Sequence, residues 1–373
     1  MCLVRKLFLM IYTIVSVLRS LDLSTDDVIS NEEYIVTEVN IKAVGDCLMH
    51  NGLIKQGQSK GFSLMFDNIR DEIHSADLAI INQETIFIED ENEYSGYPRF
   101  GSPFGVGDAI IDAGFDIVTH ATNHTADKGI KGIQDTLNFW STNYPNFGVL
   151  GIHDDVNEPD IHYEFINRFQ IGFLNYTYGL NGLDYEIKGH EYLVDRLSDS
   201  NIDAMTEEAR YNSDLLIVLL HVGDEYVYTP SSYAVKQVDR FIDLGADVVI
   251  CTHPHIVQGF GIRETASGNT GLVYYSLGNF ISQQDKEPRA IGGMADFTFK
   301  RFEYPDGSWR IELSDYNMKP LVTHMESGNY TTYLLEDYTE KLLSKHRLFK
   351  DRTAEELWGM YNKFIDEAKV YFK

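Results

Sequence analysis

Apolar residues along this chain come in short runs that stop abruptly on polar side chains able to hold a metal or meet a substrate. Ile41-Lys42-Ala43-Val44 runs into Gly45-Asp46, Leu78-Ala79-Ile80-Ile81 into Asn82-Gln83-Glu84, and Ile117-Val118-Thr119 into His120 and then Asn123-His124. Leu215-Leu216-Ile217-Val218-Leu219-Leu220 ends on His221, Val248-Val249-Ile250-Cys251-Thr252 on His253-Pro254-His255, and Val273-Tyr274-Tyr275-Ser276 on Leu277-Gly278-Asn279. Continuous apolar runs of this length predict buried strands. Helical stretches lie between them. Residues 108–113 are stopped by Gly114, residues 131–143 follow the Asn-His loop, and residues 233–245 carry Val235, Val238, Phe241 and Ile242 before a terminal glycine. From about Val39 to about Phe280 strands alternate with helices, which predicts an α/β fold. Open α/β sheets bind ligands beyond the carboxyl ends of their strands, and that is where these polar residues gather.

The flanking segments are less regular. Residues 89–104, rich in aromatic and polar side chains, read as a long loop over the site. Residues 154–203 are acidic and lack clear periodicity, which predicts only short strands on the far side of a sheet. Residues 295–323 alternate around Pro305-Asp306-Gly307 as a hairpin does. Residues 333–345 and 353–372 predict helices, the second opening with a Thr353/Glu356 capping box and burying Leu357, Tyr361, Phe364, Ile365 and Ala368. At the other end, Arg5 and Lys6 precede the uncharged run Leu7 to Leu18. That length suits the ~7–15 residues of a signal-peptide core and falls short of the ~20 that span a bilayer. The expected organisation is therefore a signal or membrane-associating segment over 1–20, a polar linker over 21–38, a main domain over 39–300, and a hairpin and helical extension over 301–373 packed on the same domain. The protein is then membrane-associated or exported. If the stripe Leu3, Leu7, Met10, Ile14, Val17 and Leu21 marks an ordinary helix instead, it is cytoplasmic.

Composition narrows the function. With 373 residues, 43% of them hydrophobic, the chain can fill a large core. Its 57 acidic residues against 31 basic ones give a net charge of −26 spread along the sequence, which excludes a nucleic-acid binder and favours solubility or cation attraction. The three cysteines, Cys2, Cys47 and Cys251, form no CxxC pair, and Cys47 and Cys251 read as small core residues.

A His-Pro-His by itself is as easily a rigid turn as a ligand pair. Joined by Asp46, Glu84, Asn123 and His221, however, His253 and His255 complete a set of imidazole, carboxylate and amide oxygens that suits Zn²⁺, Mn²⁺ or Fe²⁺. Six ligands exceed what one tetrahedral ion takes, so two ions sharing a carboxylate is the economical arrangement, and water between such ions ionises near neutral pH. His124 is the candidate proton donor to a leaving group, with Asp127 to orient its ring. Asn82, Glu225, Tyr226 and Asn279 stand beside these ligands as candidate substrate contacts.

Taken in order, the blocks Gly45-Asp46, Asn82-Gln83-Glu84-Thr85, Ala113-Gly114-Phe115-Asp116, Asn123-His124-Thr125, His221-Val222-Gly223-Asp224-Glu225-Tyr226, His253-Pro254-His255 and Tyr275-Ser276-Leu277-Gly278-Asn279-Phe280 resemble the poly-γ-glutamate capsule synthesis family CapA, a branch similar to the metallo-dependent phosphatases. The resemblance covers about 40–285. It implies a four-layer α/β/β/α sandwich with a two-metal centre between the loops of two sheets. Asp46, Glu84 as the bridge, Asn123, His221, His253 and His255 would be the ligands, and His124 the histidine that binds no metal. Two positions depart from the phosphatase pattern. Asp46 is followed by Cys47-Leu48 where Asp-x-His is usual, leaving His50 as the substitute, and Glu84 replaces an aspartate. The implied function is a capsule or polyglutamate pathway hydrolase that cleaves a phosphoester or γ-glutamyl amide through a metal-bound hydroxide. Its partners would be poly-γ-glutamate or a small substrate of either bond type. The alternative is a non-catalytic subunit of a membrane complex for polymer synthesis or export.

Overall fold

The structure, a computed structural model, describes residues 34–156 and 161–373. The expected N-terminal segment 1–20 lies outside the described residues. The linker expected over 21–38 meets them only at its end, and there it is corrected. Strand β1 (Ile35–Cys47) already begins, because Ile35 to Glu38 pair with Glu303 to Lys300.

Two sheets form the middle of the molecule. The first has the order β14-β13-β12-β1-β2-β3-β4, where β2 is Leu78–Gln83, β3 Ile117–Thr119, β4 Gly148–Leu150, β12 Ile291–Glu303, β13 Trp309–Glu326 and β14 Asn329–Leu334; β11 (Asn279–Ile281) pairs with β1 off this path. The second has the order β5-β6-β7-β8-β10-β9, where β5 is His162–Ile166, β6 Phe169–Thr177, β7 Leu215–His221, β8 Val248–Thr252, β9 Phe260–Glu264 and β10 Thr270–Tyr274. The apolar runs of the sequence are thus divided between two sheets.

Alternation along each strand explains how the sheets stack. In β7, Leu215, Ile217 and Leu219 join a core shared with Ile41, Ile80 and Phe297 of the first sheet. Leu216, Val218 and Leu220 turn instead to a separate core under helices α5 (Ile202–Tyr211) and α6 (Ser232–Asp243). The rings of Tyr274 and Phe297 meet across the sheets at 6.1 Å. On the outer side of the first sheet, Lys42 reaches Glu72 and Ser75 at helix α2 (Arg70–His74), which follows α1 (Asn51–Lys60). Helices α3 (Gly105–Ala113) and α4 (Gly129–Asn143) complete the helical cover of the first core. The result is an α/β/β/α sandwich.

Two local readings change. Residues 154–203 contain the nine-residue β6, buried almost throughout, inside the second sheet. Its run Phe169 to Thr177 mixes Gln170, Gly172 and Asn175 among apolar residues, which masks the period. The helix expected over 333–345 shrinks to α7 (Glu340–Leu343), because Tyr333 and Leu334 continue β14 and pair with Val322 and Leu321. Helix α8 (Ala354–Glu367) carries the capping box, with both Thr353 and Glu356 bonds formed, and buries Leu357, Tyr361 and Phe364. Among the described residues no helix is long and apolar enough to cross a membrane.

A fully buried histidine pins this C-terminal segment to the first sheet. His346 Nδ1 accepts the backbone N–H groups of Leu348 and Phe349 at 2.9 and 3.1 Å, and its Nε2 lies 3.0 Å from the Thr323 carbonyl, to which it donates. Burial pushes its pKa down to about 4, with the Thr323 bond opposing and His324 and Arg347 adding to the depression. The folded state therefore binds fewer protons than the unfolded chain below about pH 6.5, so this contribution to stability shrinks as pH falls from about 6.5 to about 4. The gap corresponds to on the order of 3 kcal/mol. Urea unfolding at pH 7 and pH 4.5 should show a fall in stability that is shallower in His346→Gln. An equal fall in both proteins would contradict this assignment.

Candidate metal centre

A bulge in β1 creates the first half of the centre. Val44 pairs with Ile81 but Asp46 with Asn82, so Gly45 is an extra residue and Asp46 turns to the face of Ile80 and Asn82, toward the second sheet. Glycine is needed there, because a Cβ on residue 45 would lie 1.9 Å from the Gly278 carbonyl oxygen. That carbonyl accepts the Asp46 N–H at 2.9 Å and ties β1 to the turn before β11. Glu84 follows directly on β2, its own N–H bonded to the Cys47 carbonyl.

The second sheet supplies the imidazoles. His221 continues the inward series Leu215, Ile217, Leu219 of β7 and is fully buried. Just past β8, His253 and His255 adopt φ of 101° and 60°, left-handed values that cost a non-glycine residue roughly 1–3 kcal/mol each. Such strain at Pro254's two neighbours turns both rings into the same space: the ring centroids of His221 and His253 are 4.9 Å apart, and those of His253 and His255 5.9 Å.

These side chains converge. Asp46 Oδ2 lies 3.0 Å from His255 Nδ1, and the two Glu84 oxygens lie 3.7 Å from His221 Nε2 and from His255 Nδ1. Asn123 Oδ1 is 2.8 Å from His221 Nε2. Two groups have ligand atoms within 4.8 Å of one another: Glu84, His221 and His253, and Asp46, Glu84 and His255. Glu84 belongs to both.

The donors fit divalent cations. Atoms bound about 2.1 Å from one ion stand about 3–4 Å apart, as His255 Nδ1 does from Asp46 and Glu84 and His221 Nε2 from Glu84. Both Glu84 oxygens and His253 Nδ1 are buried without a hydrogen-bond partner, an arrangement that costs free energy unless something else satisfies them. Burial, then the charges of Asp46, Glu225 and Asp127, push the Glu84 carboxyl well above its usual range. Burial and neighbouring imidazoles hold His221 well below the usual histidine value and His253 at about 3, so both present neutral nitrogen lone pairs. Burial raises the thiols of Cys47 and Cys251, which stay free and protonated and make poor ligands.

The remaining candidates divide by position. His124 is buried beside the centre, its Nδ1 2.8 Å from Asp127 Oδ2, which also accepts the Phe100 N–H at 2.7 Å. The Phe100 ring packs edge-on to His124 at 4.7 Å. His50 belongs to neither ligand group; its Nδ1 lies 3.3 Å from the Leu48 carbonyl. Asn82 sits behind the candidate ligands, donating to Asp46 Oδ1 at 2.8 Å and accepting from Thr119 Oγ1, so it orients Asp46 rather than facing open space. Asn279 is likewise buried, its amide donating to Gln284 and to the Arg289 carbonyl. Glu225 and Tyr226 are exposed at the rim, the Tyr226 ring 5.8 Å from His255. Sequence reasoning missed Tyr178, whose ring lies 4.8 Å from His253, and Thr252, whose hydroxyl is 2.9 Å from His221 Nδ1. Both stand at strand ends, the position that marked the others, but Tyr178 follows the unrecognised β6.

A sequence model of the bacterial capsule synthesis protein PGA_cap matches residues 40–284, a span that contains every candidate ligand from Asp46 to His255. The chain belongs to this family. Among its relatives, the capsule biosynthesis protein CapA of Bacillus anthracis is 25% identical over 255 residues, covering 66% of this chain and 60% of the relative. The PGA biosynthesis protein CapA of Bacillus subtilis (strain 168) is 23% identical over 275 residues, covering 73% of this chain and 69% of the relative. This PGA_cap chain thus spans about 60% of the length of the first of them. Among solved structures, a putative 5'-nucleotidase from Staphylococcus aureus in complex with alpha-ketoglutarate aligns with a TM-score of 0.44 and 15% identity, over 88% of this chain and 58% of that one. A hypothetical protein from Thermus thermophilus aligns with a TM-score of 0.40 and 14% identity, over 75% of this chain and 98% of that one.

Proposed function

We propose that this PGA_cap protein is a metal-dependent hydrolase of the capsule or poly-γ-glutamate pathway, acting on a phosphoester or γ-glutamyl amide bond. The observation that carries the reading is Glu84: a fully buried carboxylate, unpartnered at both oxygens, common to two ligand groups. Asp46, Glu84, Asn123, His221, His253 and His255 would hold two divalent ions such as Mn²⁺, Zn²⁺ or Fe²⁺. When bound, such ions supply Lewis-acid polarisation and a water that ionises near neutral pH. The chain's own residues do the rest. Asp127 fixes the His124 tautomer with the proton on Nδ1, which leaves Nε2 as the nitrogen that exchanges a proton with the leaving group. Phe100 holds the ring and covers one side from water. Thr252 and Asn82 flank His221 Nδ1 and keep Nε2 turned toward Asn123 and Glu84.

The test is to strip the purified chain of metal, restore Mn²⁺, Zn²⁺ or Fe²⁺, and assay a generic phosphodiester and γ-glutamyl oligomers. Turnover that needs the added ion is expected on one of the two classes. Full metal binding with no turnover on either would replace the enzyme by a non-catalytic subunit of a polymer synthesis or export complex.

A further inference from the structure

The chain carries 57 acidic residues against 31 basic ones, so its arginines are readily neutralised. Arg263, Arg301 and Arg352 each pair with a carboxylate. Arg289 does not pair with any carboxylate among the described residues. Its guanidinium lies over the Tyr226 ring, 3.5 Å from the centroid, and that ring is 5.8 Å from His255. Burial, and then the charge of Glu225 on the same rim, push the Tyr226 hydroxyl above its usual pKa.

The arginine is held from three sides. Asn279, which pairs with Asp46 across β1 and β11, donates from Nδ2 to the Arg289 carbonyl at 2.9 Å and to Gln284 Oε1 at 3.1 Å. Gln284 Nε2 then donates to the Tyr226 hydroxyl at 3.3 Å. On the far side, Arg352 grips Glu287 of the same turn through two bonds of 3.2 and 3.0 Å. Tyr226 is fixed in turn by its N–H bond to the Pro254 carbonyl, between the two strained histidines. Hydrogen bonds therefore join the strand beside Asp46 to the Arg289 backbone and to Tyr226, on whose ring rests a half-buried guanidinium with no carboxylate partner among the described residues.

We propose that Arg289, seated on Tyr226, recognises an oxyanion of the substrate, a carboxylate or a phosphate, beside the bond that is cleaved. A guanidinium fork matches both groups bidentately, and stacking on an aromatic ring sets its plane in advance. A local cation at the rim also offsets the repulsion that a chain of net charge −26 exerts on an anion. Arg289 lies just past residue 284, where the family match ends, so family membership does not supply this assignment. The proposal rests on the hydrolytic reading of the centre for what the anion is attached to.

The test uses the full chain, metal-free and loaded with Mn²⁺, and measures calorimetric binding of inorganic phosphate and of γ-glutamylglutamate. Arg289→Gln should weaken the tighter of the two by about tenfold or more with metal content unchanged, and Arg289→Lys by less, because the ammonium keeps charge without the fork. Tyr226→Leu, which removes the platform, should weaken the same probe and guards against misfolding of a single variant. Which probe responds identifies the anion as phosphate or carboxylate. Parent-like binding of both probes by a folded Arg289→Gln, or no binding of either by the parent, overturns the proposal. Binding that depends on Arg289 in a chain that takes up no metal would sink the hydrolase and leave the anion site standing.

Discussion

Replacing His124 by alanine is expected to lower metal-dependent turnover by about 10²–10⁴-fold, the usual contribution of a positioned general acid or base. The geometry makes the prediction sharper than a loss of activity. His124 is close enough to help depress His221 and His253, yet it belongs to neither ligand group. Metal content measured by mass spectrometry should therefore stay at the parent level while kcat falls. Asp127→Asn should give a smaller loss, because the carboxylate acts only through the ring it orients and through the Phe100 N–H it accepts. If the alanine variant lost its metal together with its activity, His124 would be a ligand and the division of roles would be wrong.

Glu84→Gln is expected to do two opposite things to stability. In metal-free protein the amide replaces a buried carboxyl whose ionisation is opposed by burial and by neighbouring charges, so the variant should be the more stable of the two near neutral pH. The sign with pH follows from the elevation. A carboxyl that holds its proton more tightly when folded lowers stability as pH rises above its unfolded value near 4.5, so the advantage of the amide should grow from about pH 5 to pH 8. Added metal should reverse the order. At a hundred times its Kd an ion stabilises the parent by about 2.7 kcal/mol, and a chain without the shared carboxylate gains little. Melting curves with chelator and with Mn²⁺ read both effects, and equal metal-induced shifts in parent and variant would rule out Glu84 as a shared ligand.

Much of this centre can be read in one dimension because strand ends carry it. A continuous apolar run that stops on His221 or on His253-Pro254-His255 needs no knowledge of tertiary contacts to be noticed. The face each residue takes is partly legible too, since His221 keeps step with Leu215, Ile217 and Leu219. Asp46 does not keep step with Ala43, and only the bulge at Gly45 brings it inward. That bulge answers to the carbonyl of Gly278, more than two hundred residues away, and such a pairing leaves no periodic trace. The same holds for Tyr178, hidden by the mixed composition of β6, and for Arg289, whose meaning lies in a ring and an amide contributed by other loops.

Asp46 and Glu84 hang from one sheet, and His221, His253 and His255 from the other. A cation seated among them would therefore act as a rivet through both layers, fastening one rim while Tyr274 against Phe297 closes the interior. Starved of that ion, the sandwich would gape at the riveted rim first, and amide exchange there should quicken before any other part of the chain loosens.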